Sequence, residues 1–219
     1  MSTLLPKPTL CDVLPTESSN LANVEQFTVR ALNANDGHAF RAIRLEALRN
    51  DGNFLGPLYE EENKLTDDQW RQRCTETNDS CFFGLFDKDR LIGIMSAKKW
   101  CKETHDSCFF GLADKDQLLD IMSAKKWDED KEGRTALWMA AYLKPEYRGR
   151  KIAEKLYQAR LEWTKRNPNQ FKRAVFFIHE ENIRSREIHE KQGPKYLFTR
   201  SMQWANGPIA RWRWYEKEL

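Results

Sequence analysis

Residues 74–100 and 101–127 are two copies of one segment, and any fold for this chain has to place both. The first reads CTETNDSCFFGLFDKDRLIGIMSAKKW and the second CKETHDSCFFGLADKDQLLDIMSAKKW, identical at 21 of 27 positions. Each copy has the pattern of a β-hairpin: a run around Cys-Phe-Phe-Gly-Leu, a polar Asp-Lys-Asp turn, then Leu-x-x-Ile-Met-Ser-Ala. Two copies are too few for a stacked solenoid, which needs roughly three or more units to bury a core. The pattern predicts an ordinary domain that carries one extra hairpin, with its chemistry elsewhere in the chain.

The rest of the sequence bounds that domain. Of 219 residues, 32% are charged and 40% hydrophobic, and 8 Trp with 12 Phe are too many aromatics for a disordered chain. A net charge of +3 does not by itself point to nucleic acid or to a membrane surface. No apolar run approaches the roughly 18 residues of a membrane span. The first residues, MSTLLPKPTLCDVLPTESSN, lack a basic-then-apolar signal pattern, and their prolines oppose a helix. Residues 1–24 are therefore read as a loose or docked arm, and residues 25–219 as a single domain. Cys11, Cys74, Cys81, Cys101 and Cys108 form no CxxC pair or cluster with His, so no zinc site is expected. Reduced thiols in a cytoplasm account for them.

Strand and helix signals alternate along the chain. Residues 26–33 alternate like a strand, and Asn35 or Asp36 can cap a helix that runs to about Arg49 with Phe40, Ile43, Leu45 and Leu48 in register. Thr66 to Gln69 is a capping box opening a second helix near Trp70. After the hairpins comes a nearly all-apolar strand, 136–143, of the kind covered on both faces. Then follow a helix over 149–166, a strand at 174–179, a helix at 182–192 stopped by Gly193-Pro194, and a final hairpin over 196–215. In its last strand, Trp212 and Trp214 share one face and Arg211 and Arg213 the other. Trp inward and Arg outward is favoured over a nucleic-acid surface. The order predicts an α/β (α+β) domain.

One segment carries chemistry. In Tyr142-Leu-Lys-Pro-Glu-Tyr-Arg-Gly-Arg-Lys-Ile-Ala153 a buried strand ends, the chain turns, and a helix opens with Arg148, Gly149, Arg150 and Lys151. Cations at a helix N-terminus oppose the macrodipole and are explained if an anion sits there. Free backbone N–H groups with guanidinium and ammonium groups form a phosphate cradle, and Gly149 lets backbone approach closely.

At this point the chain resembles the GNAT N-acetyltransferase superfamily. Its cofactor motif, Arg/Gln-x-x-Gly-x-Gly/Ala after a strand, is similar to Arg148-Gly149-Arg150-Lys151-Ile152-Ala153, with Lys151 in place of the usual Gly. Residues 40–73 look like the family's first two helices, and LIGIMSA with Gly93 like its third strand. Asn182 to Gly193 is similar to the element Asn-x-x-Ala-x-x-x-Tyr-x-x-x-Gly-Phe. There Ser185 takes the Ala position, His189 the Tyr and Pro194 the Phe.

The resemblance implies a mixed, mostly antiparallel central sheet flanked by helices. It implies acetyl transfer from acetyl-CoA, as co-substrate, to a small-molecule or peptidic primary amine, by direct attack in a ternary complex. The pyrophosphate would lie on the amides of Gly149, Arg150, Lys151, Ile152 and Ala153, with Arg148 and Asn182 as further cofactor-binding residues. The pantetheine would pair with the strand end at Tyr142 and Leu143, where an amide would polarise the thioester carbonyl. His189, in the place of the family's Tyr, would protonate the leaving thiolate, since an imidazolium of pKa about 6.5 is a competent acid near neutrality. No carboxylate in the strand at 136–143 can serve as base. Glu60, Glu61 and Glu62 with Asp67 and Asp68 fall at the family's acceptor loop, where an acidic rim would attract cationic amines. A different class of reading is a degenerate fold of this family serving as a CoA-binding sensor or interaction module.

Such a sheet has one place for the duplicated hairpin. Gly93 and Phe86 of the first copy suit a covered sheet, whereas the second has Asp120 and Ala113 there, and a buried Asp needs a partner. The first copy is expected in the sheet. Residues 101–127 are expected to be extruded, flexible, or exchanged with a neighbouring molecule in a homodimer or hairpin-swapped oligomer.

Overall fold

The computed structural model describes residues 26–55, 59–100, 133–203 and 209–219. The N-terminal arm and the second repeat copy, with every expectation placed on them, lie outside these residues. Seven strands form one sheet: β1 (Phe27–Ala31), β2 (Ser80–Asp87), β3 (Arg90–Lys99), β4 (Thr135–Leu143), β5 (Arg173–His179), β6 (Lys195–Gln203) and β7 (Ile209–Glu218). Their order is β1-β2-β3-β4-β5-β7-β6. Every neighbouring pair is antiparallel except β4 and β5. A parallel pair needs a crossover, and helix α4 (Ala153–Arg166) is the helix that lies between them in the chain. The mixed, mostly antiparallel sheet is as expected from the sequence.

The first repeat copy holds the sheet position between β1 and β4, as β2 and β3. Its fit depends on Gly93. A Cβ added there would stand 3.1 Å from Leu143 Cδ1, 3.2 Å from Leu156 Cδ1 and 3.2 Å from the Tyr142 carbonyl oxygen. A larger residue would therefore have to displace backbone as well as two core leucines. Phe86, the other discriminating residue, is buried at 6% exposure.

Helices cover both faces. α1 (Gly37–Asp51) and α3 (Asp67–Cys74) bury Phe40, Ile43, Ala47 and Trp70 against Phe86, Leu91, Ile94 and Tyr142. Between them lies a single turn, α2 (Tyr59–Glu62). On the opposite face α4 packs Leu156 and Tyr157 against Phe83, Leu85, Trp138 and Phe176. Each such fully buried side chain contributes about 1.5–3 kcal/mol through removal from water. α5 (Ile183–Glu190) sits on this same face, with His189 against the rings of Phe176 and Tyr157.

Local signals explain most boundaries. Thr66 accepts from the Gln69 N–H while the Gln69 side chain accepts from the Thr66 N–H, the reciprocal capping box. At α1 the structure differs from expectation. The capping pair is Asn33 with Asp36 on a preceding 3₁₀ turn, Ala34–Asp36, because Asp36 reaches back to the Asn33 N–H. In β7 Trp212 and Trp214 are buried and Arg211 is exposed and paired with Glu180, so the Trp-inward reading holds.

Candidate functional site

The site begins where the parallel pair comes apart. β4 and β5 pair only across Thr135–Trp138 and Arg173–Phe176. Beyond Trp138 and Phe176, β5 continues beside β7 alone, and β4 beside β3 alone. The register between β3 and β4 slips here, between Ile94 and Ser96, and Ala140 has φ +54°, a left-handed conformation uncommon for a residue with a side chain. This bulge turns β4 away from β5 and opens a fork at the carboxyl ends of two parallel strands, where α/β sheets bind ligands. Tyr142 and Leu143 pair with Ile94 and Gly93 on one edge, which leaves their other edge on the fork.

The turn after β4 provides an anion cradle. Gly149 has φ +81° and Lys151 φ +59°. Left-handed residues interspersed in a turn are the backbone pattern from which anion-binding nests are built. Among the described residues, the N–H groups of Gly149, Arg150, Lys151, Ile152 and Ala153 have no acceptor. They sit at the positive end of α4, a 14-residue helix whose cap Ile152 makes no side-chain cap bond. Ile152 is buried whole and anchors the start of α4 beneath the cradle. Gly149 is needed for its φ rather than for close approach, since a Cβ there would meet nothing within 4 Å.

The four cations of this segment do not act alike. Arg148 is committed elsewhere: its Nε donates to the Leu143 carbonyl at 2.8 Å and its Nη2 to Asp51 at 2.5 Å. It therefore ties the turn to β4 and to the end of α1, and a phosphate would have to compete with Asp51 for its guanidinium. Arg150 rests on the Tyr147 ring at 5.3 Å and, with Lys151, is exposed beside the cradle. Lys144 is held by Glu46 of α1. Tyr142 donates to the same carboxylate at 3.0 Å, and burial foremost pushes its hydroxyl up to about 12.

A cavity of about 450 Å³ runs through the fork. Met139, Ala140 and Ala141 of β4 and Phe176, Phe177 and Ile178 of β5 line its middle. On the α4 face it meets Arg160, Asn182, Ser185 and His189. The Asn182 side chain accepts from the Ser185 N–H at 3.1 Å, the cap of α5. His189 is 6% exposed. Its Nδ1 faces the Ser185 carbonyl at 2.8 Å and its Nε2 faces Arg160 Nη2 at 3.2 Å. A carbonyl only accepts and a guanidinium only donates, so the ring is neutral, with its proton on Nδ1. Burial, reinforced by the Arg160 charge, lowers the imidazole to about 4. The acid role expected from the sequence would thus require His189 to gain a proton against burial and the Arg160 charge.

On the α1 face the cavity meets Arg44, Glu62 and Arg73. Glu62 accepts from Arg44 Nε and Nη2, both at 2.9 Å, with Arg73 at 3.6 Å. Burial would raise its carboxyl, but the two guanidinium groups outweigh that and hold it below the usual carboxylate range. Elsewhere in the acidic run, Glu61 pairs with Lys64, Asp67 with Arg41 and Asp68 with Arg71. The acidic rim read as an attractant for cationic amines is thus largely neutralised by the chain's own cations.

Two site features escaped the sequence reading. The bulge at Ala140 has no residue-level signal, since alanine is a poor marker of positive φ. Arg160 did have one. Ile152, Leu156, Arg160 and Thr164 recur every four residues on the buried stripe of α4, so a charge stood at a core position.

Residues 45–193 match the Acetyltransferase (GNAT) family. No curated protein sequence matches the chain significantly. The fold is similar to an acetyltransferase of the GNAT family from Streptococcus pneumoniae, at 11% identity over 88% of this chain and 99% of that one, with TM-score 0.64. It is similar to Arabidopsis thaliana NAA60 in complex with a bisubstrate analogue, at 13% identity over 88% and 99%, TM-score 0.59. It is also similar to an N-acetyltransferase from Thermoplasma acidophilum in complex with coenzyme A, at 17% identity over 88% and 99%, TM-score 0.57.

Proposed function

The chain belongs to the acetyltransferase (GNAT) family, and from that membership we propose that it is an N-acetyltransferase moving the acetyl group of acetyl-CoA to a primary amine of a small molecule or peptide. The observation that carries this reading is the run of unpaired amides from Gly149 to Ala153 beside the open fork. Those amides, with Arg150 and Lys151, suit a pyrophosphate. The unpaired edge of β4 suits the amide-bearing pantetheine arm, which would add to it like a short strand. An N–H at the bulge would then face the thioester carbonyl. Coenzyme A bound to the Thermoplasma acidophilum neighbour supports the choice of donor. The amine would enter from the α1 face and attack within a ternary complex, its proton passing to water. The free buried thiols Cys74 and Cys81 suit a cytoplasmic setting.

Isothermal calorimetry with CoA and acetyl-CoA tests the reading. Binding of both is the expected result, and no heat at millimolar ligand would end it. A second reading, a CoA-binding sensor, is favoured by the neutral, fully engaged His189. CoA binding with no CoA release across a broad amine panel would select it.

A further inference from the structure

Arg160 is a buried cation without a counter-ion. It is 1% exposed, at the centre of α4. Among the described residues no carboxylate pairs with it, its Nε has no partner, and its Nη2 meets only the neutral His189. Its guanidinium carbon lies 4.2 Å from the Trp138 ring centre and 5.4 Å from that of Tyr157. Ring faces attract a cation, but they do not supply the charge that a desolvated guanidinium lacks. Buried charges are ordinarily paired, and this one lines the cavity instead.

Its place in the fork is equally specific. Trp138 and Phe176 are the last paired residues of β4 and β5. Arg160 lies over the first, and His189 packs tilted against the second, at 5.1 Å between ring centres. The two side chains therefore sit at the point where the strands separate, on the face of α4. Arg160 is seven residues beyond Ala153, about 10 Å along the helix axis from the phosphate cradle. A pantetheine arm anchored at that cradle would be long enough to reach the α4 side of the fork, with the α1 face left open to the amine.

We propose that Arg160 is a catalytic residue, its guanidinium contacting the thioester sulfur and holding the CoA thiolate as the acyl bond breaks. The proposal rests on acetyl-CoA occupying the fork. The amine nitrogen bonds to the acetyl carbon, the carbon–sulfur bond breaks, and its electron pair stays on sulfur. The amine gives one proton to solvent, so the products are an N-acetylated amine, a thiolate and a proton. A fixed cation stabilises a thiolate leaving group electrostatically, with no proton transfer to it required. The neutral His189 is then a positioning residue that orients the guanidinium through Nε2. Burial lowers Arg160 to about 9, which keeps it charged at neutrality. The other titratable groups packed on Arg160 are Tyr157 of α4, whose hydroxyl burial pushes up, and His189 of α5.

The thiol of bound CoA reports this directly and needs no acceptor. The full chain is saturated with CoA, and thiolate absorbance is followed against pH, with the same titration in desulfo-CoA subtracted. A thiol beside a fixed cation is expected to titrate about one unit or more below its free value near 8.5, giving about ten-fold more thiolate at neutral pH. Arg160→Met should return the thiol to its free value while calorimetry still shows CoA binding, and Arg160→Lys should keep most of the shift. A thiol that titrates at or above the free value in the unaltered protein overturns the proposal, and so does a shift that survives in Arg160→Met. If the Met variant does not fold, the unaltered protein alone decides. Absence of CoA binding is a separate result, and removes the cofactor reading together with this one.

Discussion

Two arginines are buried on opposite faces of the sheet, and they are arranged in opposite ways. Arg44 of α1 gives two hydrogen bonds to Glu62, which Arg73 also approaches. Arg160 of α4 has two aromatic faces, a neutral imidazole and no carboxylate among the described residues. A buried ion with its partner is compensated within the fold, and one without is a standing cost. The α1 face is thus electrostatically finished, whereas the α4 face carries a charge that a ligand would complete.

Breaking the finished side should have the largest effect. Glu62→Gln removes the anion that Arg44 holds through two hydrogen bonds and is expected to cost about 3–5 kcal/mol in urea unfolding at neutral pH. Arg160→Met keeps the apolar stem and removes an uncompensated charge, so it should unfold no more easily than the parent chain. Equal losses in the two variants would erase the distinction between the faces.

The next effect is one of pH, and its strongest source is on the α4 face, although burial also lowers His179 of β5. In the unfolded chain the His189 imidazole takes up its proton near 6.5. In the fold burial and Arg160 delay uptake to about 4. Between those values the unfolded chain binds the extra proton, so stability falls as pH drops through that window and is fully present above it. The loss approaches about 3 kcal/mol by pH 4. Tyr157 and Phe176, which pack on the ring, offer no charge to rescue it. His189→Gln should flatten this part of the stability–pH curve, measured by denaturant unfolding at pH 7, 5 and 4. An unchanged slope would mean that His189 charges freely in the fold.

Much of this was legible because local signals agreed with the global fold. The strand at 136–143, the helix to 166 and the strand at 174–179 were set by apolar runs and periodicity, and each appears within a few residues of its expected ends. Gly93 was a legible marker for the sheet position that the first repeat copy holds, because its close contacts with Leu143, Leu156 and Tyr142 are a local fact. The site was less legible because its decisive features are relations between distant residues. That β4 and β5 separate after four pairs depends on a bulge with no marker residue. That His189 is neutral depends on Arg160, 29 positions away. That Glu62 is structural depends on Arg44, 18 positions away. Family likeness assigned His189 a role by position, but its protonation is decided by packing.

The smallest effect lies in the cradle, where the same contrast recurs within three residues. Gly149 and Lys151 both hold left-handed backbone, and only one is a glycine. For a residue with a Cβ that conformation costs roughly 1–2 kcal/mol, and replacing it with glycine returns part of this as unfolded-chain entropy. Lys151→Gly is therefore expected to stabilise the fold by about 0.5–1 kcal/mol in denaturant unfolding. The same change removes an ammonium from the edge of five unpaired amides, so CoA affinity should fall several-fold by calorimetry, most at low salt. Opposite signs in the two measurements would mark Lys151, like Arg160, as a residue the fold tolerates because a ligand uses it. A gain in both would place its side chain away from the phosphates and confine the unfinished charge to the fork.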